Sequence, residues 1–333
     1  MSRPLASIQV VEFAGLGPVP LAGQLLADMG ADVTVIDRVA REPDPTDINN
    51  RGKRVMVADL KSPDGLRRAI TQIEQADVLI EGFRPGVMER LGLGPETCNS
   101  RLIYGRMTGW GQEGLWSARA GHDLTYLAMT GALHAMGPAD RPPPVPLNLI
   151  ADYGAGSMLL LVGILAALIE RGVSGQGQVV DAAMVDGVPA MMGLLHGMLG
   201  RGDWTVEREA NWLDGAAPFY RCYTCADGKF IAVGALEPQF YAAFITRAGL
   251  PAALLEDQND RSLWPDRSQI FARHFATRAR DDWADLFEGS DACVAPVLDM
   301  TEAAKHPVNR ARGVFITRHG VMQAAPAPRF SRS

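Results

Sequence analysis

Ile8-Gln-Val-Val-Glu-Phe-Ala14, Gly15-Leu-Gly-Pro-Val-Pro20, a mostly apolar stretch over 21–29 closed by Gly30, and Asp32-Val-Thr-Val-Ile-Asp37 follow one another near the start of the chain. Residues 8–14 are a nearly continuous apolar run rich in Val and Ile, the pattern of a strand covered on both faces. The glycines and prolines of 15–20 read as a loop, and 21–29 as a helix that Gly30 stops. A second apolar strand over 32–37 completes strand, helix, strand. That unit begins a parallel sheet with helices packed on its faces.

Outward from there the alternation continues. Strands are expected over 54–58, 77–81, 102–108 and 178–182, and a helix over 62–75 opened by Ser62-Pro63. Residues 154–171 are apolar on almost every side, which predicts a helix buried all round. A Met-rich helix is expected over 184–199. Residues 200–214 are mostly polar, with two tryptophans, Trp204 and Trp212, and read as linker. From 216 the pattern changes to two antiparallel strands around Ala226-Asp227-Gly228, helices rich in Ala, Arg and Asp, and a short strand over 295–298. The expected fold is α/β. A Rossmann-like large domain spans 1–187, a linker 188–214 and a small α+β domain 215–300, and 301–333 returns to the large domain.

Composition agrees with two domains, since single cores stop growing near ~250–300 residues and the chain has 333. It is 47% hydrophobic and 21% charged, ordinary for a globular protein. A net charge of -6 argues against broad nucleic-acid binding. A polyanionic small ligand needs only a local basic cluster. The apolar run 158–169 is too short for a bilayer, and the N-terminus enters a strand without a signal-peptide pattern. A cytoplasmic protein without membrane insertion is expected. Among the four cysteines, Cys222 and Cys225 form a CxxC on a strand, where side chains three apart point to opposite faces. With no second pair, no zinc or redox role is assigned.

The glycine loop and Asp37 resemble part of a dinucleotide fingerprint, but Pro20 stands where the third glycine belongs. A βα turn without NAD is the expected reading. Basic residues Arg38, Arg51, Lys53, Arg54, Lys61, Arg84 and Arg90 cluster near predicted strand ends. Arg38, Lys61 and Arg84 lie just past three strands and suit phosphates, unless they are only solvated charges. His122-Asp123 opens one predicted helix and Asp152 another. Glu237 follows a strand of the small domain. Each acid reads singly as a helix-start carboxylate, and each also suits acid/base chemistry.

Taken together, these residues resemble a known pattern. Val10-Val-Glu-Phe-Ala14, Ala58-Asp-Leu-Lys61, Glu81-Gly-Phe-Arg-Pro-Gly-Val-Met-Glu-Arg90, Thr108-Gly-Trp-Gly111, Gly121-His-Asp123 and the stretches 148–157 and 175–187 are similar to the α-methylacyl-CoA racemases of the family III CoA-transferase (CaiB/BaiF) superfamily. The resemblance covers nearly the whole chain. It implies a homodimer of interlocked subunits, an acyl-CoA thioester substrate, and no cofactor or metal, because CoA belongs to the substrate. It implies His122 and Asp152 as the two proton-transfer groups, with Asp123 and Glu237 supporting the histidine. CoA contacts carry over to Arg38, Ala58, Asp59, Leu60, Lys61, Gly82, Phe83, Arg84, Arg90, Gly121, Leu124, Thr125 and Tyr126. The transferases of the group use the counterpart of Asp152 as a nucleophile, usually with a glycine-rich loop where this chain has Gly234-Ala-Leu-Glu-Pro-Gln239. Racemisation of 2-methylacyl-CoA is therefore expected. Transfer of CoA through Asp152, or CoA binding without catalysis, are the alternatives. Helix N-terminal N–H groups near Asp152 are expected to stabilise the enolate. Met184, Met191, Met192 and Met198 suit either helix packing or a surface for acyl chains.

Overall fold

The computed structural model of the chain describes residues 3–40, 42 and 44–332. It divides into two compact units, one of residues 1–132, 145–193 and 309–333 and one of residues 133–144 and 194–308. The first unit contains β1 (Gln9–Phe13), α1 (Pro18–Asp28), β2 (Asp32–Asp37), β3 (Arg54–Val57), α2 (Pro63–Glu74), β4 (Val78–Glu81), α3 (Val87–Arg90), β5 (Ile103–Thr108), α4 (Asp123–Met129), α5 (Met158–Ser174), β6 (Val179–Ala183) and α6 (Met184–Met191). Its six strands pair in parallel in the order β3-β2-β1-β4-β5-β6. Val10 of β1 sits opposite both Val33 of β2 and Val78 of β4. All three are buried, which explains the unbroken apolar pattern. The strand order reverses between β1 and β4, and there the carboxyl ends of an open sheet leave a crevice for ligands.

The helices depart from the expected boundaries for local reasons. α1 starts at Pro18, not 21, because proline in a first turn lacks only an N–H that the helix leaves unbonded. The helix expected over 184–199 is broken. α6 ends at Met191, with Pro189 withholding a backbone donor. α5 is not buried all round. Leu160, Leu161, Ile164 and Ala167 face the sheet, where a Cβ on Gly105 of β5 would come within 2.9 Å of Leu160 Cδ1. Val162, Ile169 and Val173 remain 61%, 74% and 90% exposed. With the turn before it, the helix runs 149–174, by length and composition enough to cross a membrane and longer than the apolar run suggests. Arg171 ties its end to the sheet domain by donating to the Asp77 and Arg101 carbonyls and pairing with Asp77.

The second unit takes in most of α7 (Gly193–Arg201), then β7 (Tyr220–Thr224), β8 (Phe230–Gly234), α8 (Pro238–Ala248), α9 (Trp264–Phe275), α10 (Arg280–Phe287), β9 (Val294–Pro296) and α11 (Met300–Lys305). Its strands form an antiparallel sheet in the order β7-β8-β9. Its core is aromatic, with Phe219, Tyr241, Phe244, Phe271, Phe275 and Trp283 fully buried. Cys225 is buried and Cys222 exposed. The segment expected as linker, 188–214, instead holds the end of α6, all of α7 and a turn in which the Asn211 side chain donates to the Thr205 and Glu207 carbonyls. After α12 (Pro307–Arg312), a hairpin of β10 (Phe315–Arg318) and β11 (Val321–Ala324) belongs to the first unit. Arg51 donates to Gln323 Oε1 and to the Ala324 carbonyl, both at 2.7 Å.

Candidate active site

Asp152 lies on a nine-residue π-helical turn, Leu149–Ser157, that leads into α5. Such wide i→i+5 turns are rare and concentrate at functional sites. The turn rests on the β1–α1 connection. A Cβ on Gly17, which has φ 70°, would stand 3.3 Å from Asp152 Oδ2, and Ser157 Oγ donates to the Pro18 carbonyl at 2.8 Å. The glycine of the apparent nucleotide loop thus makes room for a carboxylate. Asp152 does not cap its own turn. Asp123 does so, with Oδ2 accepting from the backbone N–H groups of Ala151 and Asp152, both at 2.8 Å. Asp123 is 4% exposed, and its Oδ1 is buried without a partner among the described residues. Burial first, and the Asp123 charge second, raise the Asp152 carboxyl above the ordinary aspartate range, while the His122 charge pulls it back.

His122 is the N-cap of α4 and is exposed. The Thr125 hydroxyl accepts from His122 N at 2.9 Å and donates to His122 O at 2.8 Å, so the backbone of the histidine is latched at both ends. Tyr126, one position on, is buried. Cβ atoms on Gly109 or Gly121 would fall 2.0 and 2.4 Å from its ring, so both glycines are required by close packing. The Trp110 ring stands edge-on to Tyr126 at 4.8 Å and to Trp116 at 4.9 Å. Burial and the nearby Asp152 charge raise the Tyr126 phenol, and Arg84 opposes them. His122, Asp152, Tyr126 and Arg84 therefore share one electrostatic neighbourhood.

Beside it, at the carboxyl ends of β1 to β4, is a cavity of about 390 Å³. Phe13, Ala14, Ile36, Ala58, Leu60, Phe83, Val87 and Leu91 give it apolar walls, with Arg38, Lys61 and Arg90 as cations and Asp37 and Asp59 as acids. A flat apolar group carrying phosphates fits such a lining. Arg106 of β5 braces the segment that supplies Phe83 and Val87 to this lining. The guanidinium donates to Glu81 Oε1 at 3.0 Å and to Glu89 Oε1 at 2.7 Å, while Glu81 Oε2 accepts from Phe83 N at 2.7 Å. One cation thereby fixes both ends of the segment that carries Phe83 and Arg84 and leads into Arg90.

Seven of the residues expected at a CoA site line the cavity: Arg38, Ala58, Asp59, Leu60, Lys61, Phe83 and Arg90. Gly82 packs at the end of β4, where a Cβ would meet Val19 at 3.0 Å. Arg84, Gly121 and Tyr126 lie on the Asp152 side, as do the exposed Leu124 and Thr125. Three of the seven clustered basic residues serve other ends. Lys53 is buried against Glu12, Arg51 pairs with Asp28, and Arg54 pairs with Asp32. Of the N–H groups near Asp152 expected to face an enolate, those of Ala151 and Asp152 are bonded to Asp123. Asp123, expected to support His122, accepts hydrogen bonds from the turn that carries Asp152. Glu237 is the exposed N-cap of α8 in the second unit, where Pro238 opens the helix. Met184 is core, whereas Met191 is 48% exposed with its Cε 3.7 Å from where a Cβ on Gly154 would stand. Sequence reasoning missed Gly17 and Trp110 as site residues; the Thr108-Gly-Trp-Gly111 motif was the only signal for the latter.

The chain is thus a parallel α/β protein with an acid and a histidine near a cavity lined by three cations. Residues 5–332 match the model of CoA-transferase family III, and the chain belongs to that family. It is 44% identical to the α-methylacyl-CoA racemase of Mus musculus, over 99% of this chain and 87% of the relative. An acyl-CoA transferase of Fusarium pseudograminearum is 29% identical over 94% of this chain and 74% of its own length. Among solved structures, a CAIB/BAIF family protein from Brucella suis superposes with a TM-score of 0.83 at 26% identity, covering 100% of this chain and 94% of its own.

Proposed function

We propose that the chain is a racemase of 2-methylacyl-CoA thioesters, working by 1,1-proton transfer through an enolate. The observation that carries this is the pairing of Asp152, on its π-helical turn, with His122 at the start of α4, whose charge acts on the Asp152 carboxyl. A thioester makes its α-proton acidic enough for a positioned base to remove. With one group on each face of the carbon, one abstracts and the other returns a proton. At the enolate stage both groups carry protons, with an imidazolium over one face of the reacting carbon and a neutral carboxyl over the other. The raised Asp152 carboxyl suits this, because one direction must begin with Asp152 protonated while His122 is neutral.

CoA binds in the cavity with its phosphates at Arg38, Lys61 and Arg90, and the thioester runs past Gly82 and Arg84 to Asp152. Arg38→Ala or Arg90→Ala should raise KM for acyl-CoA about tenfold while sparing kcat, since these contacts bind ground and transition states alike. A tenfold fall in kcat at saturation with unchanged KM would reverse the assignment. The enzyme works without a metal, NAD or flavin, in the cytoplasm and as a homodimer. The exposed apolar residues Val162, Ile169 and Val173 support a second copy.

The test uses each enantiomer of a 2-methylacyl-CoA separately in D₂O. Conversion of each into the other, with deuterium at C2 and without added cofactor, is expected. Acyl groups trapped on Asp152 in the presence of a carboxylic acid would make the protein a transferase. No exchange with any acyl-CoA would leave a binding protein.

A further inference from the structure

We propose that Lys53 is a positioning residue for Asp152: its ammonium, buried between the Glu12 carboxylate of β1 and the Pro20 carbonyl of α1, fixes the helix turn against which the Asp152 carboxylate lies. This deepens the two-base reading above and rests on it.

Lys53 Nζ is 2.9 and 2.6 Å from the two Glu12 oxygens and donates to the Pro20 carbonyl at 2.8 Å. Neither side chain is more than 1% exposed. Burial pushes the Glu12 carboxyl up to about 7 and the Lys53 ammonium down; Asp47 is the other charge that acts on both. A pair so far from water is costly, and apolar residues of similar volume often serve stability as well or better. α1 is nonetheless built around it: a Cβ on Gly23 would fall 1.8 Å from Glu12 Oε2 and 2.9 Å from Lys53 Nζ. The third bond explains the arrangement. Pro18 and Pro20 remove two donors from the first turn of α1, and the Pro20 carbonyl is drawn down onto Lys53. The opposite side of that turn faces the catalytic segment, with Gly17 under Asp152 Oδ2, the Pro18 carbonyl accepting from Ser157, and Pro18 Cβ 3.3 Å from where a Cβ on Gly156 would lie. Catalytic groups need placement to a fraction of an ångström, so freeing the turn on one side shifts the acid on the other.

The experiment compares Lys53→Met, the apolar pair Glu12→Met with Lys53→Met, and Asp152→Asn. Each variant is given separate enantiomers of 2-methylacyl-CoA in D₂O, with melting temperature and KM recorded. Asp152→Asn should stop exchange of one enantiomer, which identifies the one that Asp152 serves. Lys53→Met should lower exchange of that enantiomer at least tenfold, leave the His122-served exchange within threefold, and hold KM. The double variant should recover melting temperature but keep the exchange defect, because nothing then holds the Pro20 carbonyl. Equal loss for both enantiomers, or recovery of exchange along with stability, would make the pair merely structural and overturn the proposal. If Asp152→Asn shows no enantiomer selectivity, the two-base reading fails and takes the proposal with it. If Asp152→Asn is selective and Lys53→Met is not, the proposal alone fails.

Discussion

His122→Ala should lose net inversion in both directions, by ~10²–10⁴-fold, the usual worth of one positioned acid/base group. Asp152→Asn should do the same. Inversion takes a proton from one face and returns one to the other, so neither group alone suffices. Exchange with solvent needs one base and an enolate, so each variant should still wash deuterium into one enantiomer with retention. The two variants should retain opposite enantiomers. The Asp152 result can be read without fear of unfolding. Its carboxyl is raised in the fold, so its ionisation disfavours the folded state: the stabilising balance is complete below the ordinary aspartate pKa and is lost as pH rises through the raised one. At neutral pH Asp152→Asn should therefore melt at or above the parent's temperature. Near-parental inversion by either variant would remove the two-base mechanism, and a lower melting temperature for Asp152→Asn would contradict the electrostatics that raise its carboxyl.

The parallel sheet was legible because strands buried on both faces write themselves as apolar runs: 9–13, 32–37 and 78–81 lie within one residue of the expected segments. Helix ends were less so, since Pro18 and Pro189 mean opposite things according to position in a turn. α5 misled for a different reason. Apolarity all round implies cover all round, but not that the same chain supplies it, and Val173 at 90% exposure has none within the described residues. In the site, Asp152 and His122 stood out as polar residues at helix starts. Gly17 did not, because its reason for being glycine is a carboxylate far along the chain. Asp123 was assigned to its sequence neighbour, yet adjacent residues need not face together. His122 is extended at φ −141° and ψ 170°, whereas Asp123 is the first residue inside α4. The change of backbone turns the aspartate inward to Ala151 and Asp152 while its neighbour stays exposed.

That inward turn leads to the second large effect. Asp123 holds the Asp152 turn through two N–H bonds and raises the Asp152 carboxyl through its charge. Asp123→Asn keeps an oxygen for the N–H groups and removes the charge. The Asp152 carboxyl should then fall, and the acid limb of the kcat/KM profile should move to lower pH, because that limb reports protonation of the residue that must accept a proton. Both directions of reaction should shift together, since they share one enolate and the same pair of groups. Asp123→Ala removes the oxygen as well and leaves two buried donors unpaired at ~1–3 kcal/mol each, so the turn itself loosens. It should lose kcat by at least about a hundredfold, whereas the asparagine variant loses about tenfold, a difference of roughly one 1.4 kcal/mol step in the barrier. The pH profile is the deciding measurement. Had Asp123 served the imidazole instead, removing its charge would lower the histidine pKa and move the other limb, leaving the carboxylate limb in place. An unmoved acid limb in Asp123→Asn would return Asp123 to the histidine.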